Sequence, residues 1–198
     1  MLFIGLTGGI GAGKSEALAA AERLGAATLS TDEVVHELLG STEVRDLLVE
    51  RWGERVLAGG DVDRAAVAEI VFEQPEELGW LESVLFPRVG VRVAQWRAEL
   101  ERLDSPPRFA VVEVPLLFEA GIEAVFDATV AVVADESTRA RRAAGRDHRA
   151  VGGREDRQLD QEEKARRADH VVRNDGTLEQ LEQEMRRALK VATESVAR

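Results

Sequence analysis

Leu2-Phe3-Ile4-Gly5-Leu6-Thr7-Gly8-Gly9-Ile10-Gly11-Ala12-Gly13-Lys14-Ser15 stands at the head of the chain, and SEALAAAERL, from Ser15 to Leu24, follows it. The apolar run Leu2–Leu6 passes into glycines, which reads as a buried parallel strand entering a tight turn. Leu18, Ala21 and Leu24 recur at helical spacing before Gly25, which reads as a helix stopped by glycine. Between strand and helix, Gly8 to Ser15 fits the pattern G-x-x-x-x-G-K-[ST]. At this composition, chance supplies roughly 0.002 such matches in the whole chain. Each part of the pattern has a chemical task. Glycines let backbone N–H groups turn inward around phosphate oxygens. Lys14 reaches the β- and γ-phosphates, the Ser15 hydroxyl ligates Mg²⁺, and the positive end of the helix faces the anion. A nucleoside-triphosphate site is therefore expected here.

Further along, Ala27–Leu29, Phe109–Val114, Ala128–Val133 and His170–Arg173 read as short strands. Thr177 and Gln180 form a capping-box pair at the start of a last helix, whose stripe is Leu178, Leu181, Met185, Ala188 and Ala192. Short apolar strands alternating with helices predict an α/β fold with a parallel sheet. From Asp32 to Leu103 the pattern is helical, with stripes at Val34, Val35, Leu38, Leu39, then Val44, Leu47, Leu48, then Val67, Ile70, Val71, Phe72. Pro75 and Pro87 are expected to break it. Trp52, Trp80 and Trp96 are expected to anchor its core. This stretch is too long for a simple crossover and reads as an inserted helical subdomain.

The 198 residues suit one domain carrying such an insert. Cysteine is absent, which removes disulfides, thiolate zinc sites, iron–sulfur clusters and cysteine nucleophiles together. A formal net charge of −11 argues against tight nonspecific binding to nucleic acid. No apolar run approaches a membrane span and no secretory signal opens the chain, so a cytoplasmic protein with no membrane partner is expected. Lysine occurs only at 14, 164 and 190 among 26 basic residues, so each lysine is a choice rather than filling. No pattern fixes an oligomeric state.

The class of nucleotide protein can be narrowed. A guanine reader Asn-Lys-x-Asp is missing after the last strand, where Arg173-Asn174-Asp175-Gly176 stands instead. A small kinase needs an acid beside the phosphate loop, mobile arginines to neutralise the transferring group, and an acceptor pocket. Asp32, just after the second strand, is the acid candidate, since carboxyl ends of neighbouring strands open into one crevice; it also reads as a helix N-cap. Arg139, Arg141, Arg142, Arg146, Arg149, Arg154 and Arg157, interrupted by Gly145, Gly152 and Gly153, read as a basic lid. Arg141 and Arg146 are the phosphate-contacting candidates. Glu113 closes a strand and is the candidate to orient a metal-bound water.

With these residues assembled, the chain resembles the dephospho-CoA kinase family over nearly its whole length. GLTGGIGAGKS at Gly5–Ser15 is close to the family's loop, and VPLLFEAG at Val114–Gly121 resembles its more specific signature. Arg157, Gln161 and Lys164, then Ala168-Asp169, then Asn174 and Gly176, fit the family's tail. Two departures stand out: Ser30-Thr31-Asp32 where the family has Asp-Ala-Asp, and Phe86-Pro87 where it often has His-Pro. The resemblance implies a P-loop NTPase-type sheet flanked by helices. The core would span 1–32, 107–135 and 168–198, with a helical acceptor-binding insert at 33–106 and an arginine-rich lid at 136–167. It implies that ATP with Mg²⁺ phosphorylates the ribose 3′-hydroxyl of dephospho-CoA. Gly9, Gly11, Ala12, Gly13, Lys14, Ser15, Glu16, Asn174 and Gly176 would hold the nucleotide. Asp32, as general base, would lie with Pro115, Leu116, Leu117, Phe118 and Glu119 on the acceptor side; His36, one helical turn after Asp32, reads either as a further acceptor-side residue or as a surface or capping histidine. Two other readings share parts of this pattern: a P-loop kinase acting on a nucleoside or nucleotide, and a nucleotide-dependent regulatory module that has lost transfer.

Overall fold

The computed structural model describes residues 1–143 and 158–196. The chain divides into two compact units, Met1–Ser30 with Arg97–Arg198, and Thr31–Trp96. The second unit overlaps the stretch 33–106 expected as an insert, but it ends at Trp96, and residues 97–106 fall in the first unit.

In the first unit, five strands form one sheet: β1 (Leu2–Gly8), β2 (Ala27–Ser30), β5 (Phe109–Glu113), β6 (Ala128–Val133) and β7 (His170–Arg173). Their order is β2-β5-β1-β6-β7, and every pair is parallel. The inner strands are mostly apolar because both their faces are covered: β5 and β6 are buried at every residue. Ile4, Leu6, Val111, Val130, Val132 and Val172 pack with the alanine face of α1 (Lys14–Arg23) and with Leu181, Met185, Leu189 and Ala192 of the last helix. Small Ala17, Ala20 and Ala21 let α1 lie close to the sheet. The capping box forms as expected: Thr177 N donates to Gln180 Oε1 at 2.8 Å, and Gln180 N donates to Thr177 Oγ1 at 3.3 Å.

The second unit holds α2 (Thr31–Leu39), α3 (Thr42–Trp52), α4 (Arg64–Glu73) and most of α5 (Pro75–Glu101). Val44, Leu48, Trp52, Val56, Val67, Ile70, Leu81 and Leu85 make its core, with Val35, Leu38, Leu39 and Trp80 packed against it. Trp52 and Trp80 meet edge to face at 5.0 Å. The expected stripe on α4 holds at Val67 and Ile70, whereas Phe72 is exposed.

Two expectations fail here. Pro87 does not break the helix; α5 runs through it for 27 residues. Pro87 is exposed, so its ring meets solvent, while Leu81 and Leu85 fasten the preceding turns to the core. Arg88 Nη1 also donates to the Val84 carbonyl at 2.7 Å on the affected turn. Packing here outweighs the proline penalty of about 3 kcal/mol. Pro75 takes the first helical position, where it costs nothing. The second miss is a short antiparallel hairpin, β3 (Leu57–Ala58) with β4 (Asp61–Val62), turned by Gly59 and Gly60 at φ +62° and +94°. The remaining α-helices among the described residues, α6 (Glu136–Ala143), α7 (Gln161–Arg167) and α8 (Leu178–Val196), belong to the first unit. No helix among the described residues is long and apolar enough to cross a membrane.

Candidate active site

The loop between β1 and α1 takes a shape that only glycine permits at three places. Gly8, Gly11 and Gly13 have φ of +155°, +76° and +90°. A Cβ would meet the Val132 carbonyl at Gly8, the Arg139 backbone at Gly11 and the Asn174 amide at Gly13. The loop is therefore pressed against its neighbours as well as tightly turned. Ala12 N donates back to Gly9 O at 3.2 Å, and Lys14 Nζ folds over the loop to Gly9 O at 3.4 Å. No side chain caps α1. The first-turn N–H groups of a helix lack intrahelical partners, so this end is a ready anion receptor. Ser15 and Glu16 are exposed on that turn.

The loop's carbonyl groups are held from behind. Asn174, only 3% exposed, donates through Nδ2 to Ala12 O at 2.9 Å. Arg142 Nη1 reaches Ala12 O at 3.4 Å and Asn174 O at 3.2 Å, while Nη2 reaches Asn174 Oδ1 at 3.4 Å. Arg139 Nε donates to Ile10 O at 3.0 Å and its Nη1 pairs with Glu136. Among the described residues, Arg139 and Arg142, three apart on α6, are thus the arginines that touch the loop. Arg141 is exposed, and Nη2 lies 3.5 Å from Thr138 Oγ1. Arg146, Arg149, Arg154 and Arg157 lie outside the described residues. Asp135 caps α6, taking hydrogen bonds from Ser137 Oγ and from Thr138 N and Oγ1. With the Ser137 bond leading, these hold its carboxyl down to about 2. Gly176, exposed, sits against the Gln180 side chain of the capping box.

The carboxyl ends of β1, β2 and β5 lie side by side, with Glu113 in register with Leu6 and with Ser30. Glu113 and Ser30 are both buried. The signature segment follows directly. Leu117 and Phe118 are buried, and Leu117 occupies the space a side chain at Gly5 would need. Pro115, Leu116 and Glu119 are half-buried.

Pro115 and Glu119 take part in a network centred on Lys164, whose side chain is fully buried. Nζ donates to Pro115 O at 2.5 Å and pairs with Glu119 Oε1 at 2.9 Å. Glu119 Oε1 also accepts from Leu159 N, and Thr7 Oγ1 donates to Pro115 O. Desolvation pushes the Lys164 ammonium below its usual pKa, against the pull of Glu119. On the same helix, Gln161 bonds both N and O of Ala134 just after β6. α7 therefore ties together the segments that follow β5 and β6. The scarcity of lysine is the sequence signal for Lys164; Gln161 stands out in the sequence only through the family resemblance.

In the second unit, Asp32 lies exposed in the first turn of α2, two residues beyond Ser30. His36 is exposed one turn later, with Nδ1 against Arg64.

Of the two residues expected at Mg²⁺, Ser15 is exposed on the first turn of α1 and Glu113 is buried at the end of β5. The described residues contain no cluster of three or more metal-ligating side chains. Mg²⁺ that accompanies a nucleotide takes most of its ligands from phosphate and water, with one or two from protein. A hydroxyl and a carboxylate are the kinds of oxygen donor that such a mode uses.

Comparison with known proteins agrees with this geometry. The sequence model of the family described as Dephospho-CoA kinase matches residues 2–180. The dephospho-CoA kinase of Protochlamydia amoebophila is 35% identical over 92% of this chain and 92% of its own length. That of Thermus thermophilus is 36% identical over 97% of this chain and 92% of its own. Among solved structures, TT1252 from Thermus thermophilus is 36% identical with a TM-score of 0.78, covering 98% of this chain and 97% of its own. A shikimate kinase from Bacteroides thetaiotaomicron shares only the fold, at 17% identity and a TM-score of 0.51, over 97% of this chain and 98% of its own. A glycine-shaped anion loop, a parallel P-loop sheet and end-to-end similarity converge: the chain belongs to the dephospho-CoA kinase family.

Proposed function

We propose that the chain transfers the γ-phosphoryl group of ATP to the ribose 3′-hydroxyl of dephospho-CoA, giving CoA and ADP, in the cytoplasm. The observation that carries this is the braced Gly8–Ser15 loop within a chain whose family match runs from 2 to 180. The loop amides from Gly9 to Ser15 and Lys14 bind the β- and γ-phosphates. Asn174, Arg139 and Arg142 keep the loop in its receptive shape by holding its carbonyl groups. Ser15 would hold Mg²⁺, with Glu113 acting through a bound water, and the ion would supply charge neutralisation to the phosphates.

Asp32 holds the acceptor hydroxyl and takes its proton. An alcohol is a far weaker acid than a carboxylic acid, so Asp32 mainly aims the oxygen until bond formation is advanced. Arg141 and Arg146, in the proposed lid 136–167, cover the phosphates and exclude water, which suppresses ATP hydrolysis. The unit Thr31–Trp96 is the proposed acceptor-binding domain. Leu117 and Phe118 are buried in the first unit, so the signature segment would face the acceptor through Pro115, Leu116 and Glu119.

The test is ATP-to-ADP turnover of purified protein with Mg²⁺, with and without dephospho-CoA, with the product weighed by mass spectrometry. Stimulation by dephospho-CoA and a product one phosphate heavier is expected. Transfer to a nucleoside or nucleotide alone would replace the acceptor. ATP binding without transfer to any acceptor would point to the regulatory reading.

A further inference from the structure

Arg64 opens α4 and donates through Nη1 to Nδ1 of His36 on α2. A guanidinium has donors only, so Nδ1 of His36 is the acceptor of this bond and Nε2–H is its remaining donor. Arg64 makes no ion pair among the described residues, in a chain with 37 acidic side chains. Other arginines of this unit do: Arg51 with Glu77, Arg88 with Glu43, Arg45 with Asp46. The carboxylate next to it in sequence, Asp63, is occupied as the N-cap of α4, accepting from Ala65 N and Ala66 N. Arg64 is thus an exposed cation steadied by an imidazole and left without a counter-charge.

Its place on α2 gives this meaning. Asp32 and His36 are four residues apart on one helix, so they share a face about one turn, roughly 5–6 Å, apart. We infer that Arg64 and the His36 Nε2–H form the subsite for the diphosphate of the acceptor. This rests on the proposed function, in which Asp32 holds a ribose 3′-hydroxyl. In that acceptor the diphosphate hangs from the 5′-carbon of the same ribose, a short covalent path away through C4′. When the hydroxyl meets Asp32, the anion falls about one helical turn off, where His36 and Arg64 stand. The cation is also needed: Asp32 and Glu33 flank the approach, and the chain as a whole is acidic. A guanidinium offers phosphate oxygens two parallel donors, which suits a diphosphate better than an ammonium would.

The alternative source of the same anion is ATP, and the arms of the test separate the two. Steady-state kinetics of Arg64→Gln and Arg64→Lys would be measured in both substrates, with AMP and adenosine as inhibitors competing with dephospho-CoA. Arg64→Gln should raise the KM for dephospho-CoA by about 10–100-fold and leave that for ATP within about twofold, which also shows that the variant is folded. Arg64→Lys should recover part of the loss. In the wild type, AMP should compete better than adenosine because it carries a 5′-phosphate, and in Arg64→Gln that advantage should collapse. An unchanged acceptor KM, an equal rise in both KM values, or an intact AMP advantage would overturn the subsite. A wild type that turns over no dephospho-CoA would overturn the proposed function, and the subsite with it.

Discussion

Lys14 and Asp32, the two ends of the proposed transfer, stand in differently built surroundings. Lys14 leaves a loop whose glycines are fixed by φ and by contact, and whose carbonyls are held by Asn174, Arg139 and Arg142. Asp32, His36 and Arg64 are exposed on two helices, and one hydrogen bond joins the last two. The donor end is a pre-shaped receptor, where the protein has already met the cost of ordering. The acceptor end presents side chains that gain partners when a ligand arrives. Substitutions at the first end should disturb local structure as well as binding; at the second, function should fall while the fold stands.

The largest effect is expected at Lys14. Lys14→Ala should lower kcat/KM by about 10³–10⁵-fold, several kcal/mol of transition-state stabilisation, because a placed charge in a water-poor site has no substitute. Steady-state kinetics reads this, and a loss under tenfold would mean that the loop amides alone carry the charge. Asp32→Asn should lower turnover by about 10²–10⁴-fold while ATP still binds, measured by titration with ATP. Wild-type turnover in Asp32→Asn would remove Asp32 from the reaction and break the contrast drawn above.

The donor end was legible in sequence and much of its support was not, for a physical reason. Gly8–Ser15 carries its shape in local backbone requirements, so eight consecutive residues announce it. Its braces, Asn174, Arg139 and Arg142, arrive from 129 to 162 positions away along the chain. Among seven clustered arginines, the sequence points to Arg141 and Arg146 as phosphate contacts and does not single out Arg139 and Arg142 as braces of the loop. Strands β5 and β6 were plain because burial on both faces writes an unbroken apolar run. The hairpin at Leu57–Val62 was missed because strands of two residues have no periodicity. Pro87 misled because its cost is local, while the packing that offsets it is tertiary.

A third substitution tests whether the buried Lys164–Glu119 pair holds together the segments that follow β5 and β6. Lys164→Met leaves the Glu119 carboxylate half-buried with its cation gone, and breaking such a pair costs about 3–5 kcal/mol. Urea unfolding should show a loss of that order. Replacing both partners, Lys164→Met with Glu119→Met, should recover most of it, since no lone charge then remains. If the double variant is no better than the single, the bond from Nζ to the Pro115 carbonyl matters more than the ion pair.

The smallest effect concerns Asp135, whose carboxyl sits at about 2 against an ordinary 3.8. The Ser137 hydroxyl and the Thr138 N–H and hydroxyl all favour its ionised form. A carboxyl depressed in the folded state stabilises fully above its unfolded value, and that stabilisation is lost as pH falls through about 2. Asn at the same position still caps a helix but does not titrate, so Asp135→Asn isolates the charge. The stability of the wild type should fall more steeply than that of Asp135→Asn between about pH 4 and pH 2, read from urea midpoints along the acid limb. Above about pH 5 the two curves should run parallel. Parallel curves through the acid limb as well would mean that the hydrogen bonds at Asp135 serve the helix end without favouring the charge, and that the cap of the arginine-bearing helix is insensitive to pH.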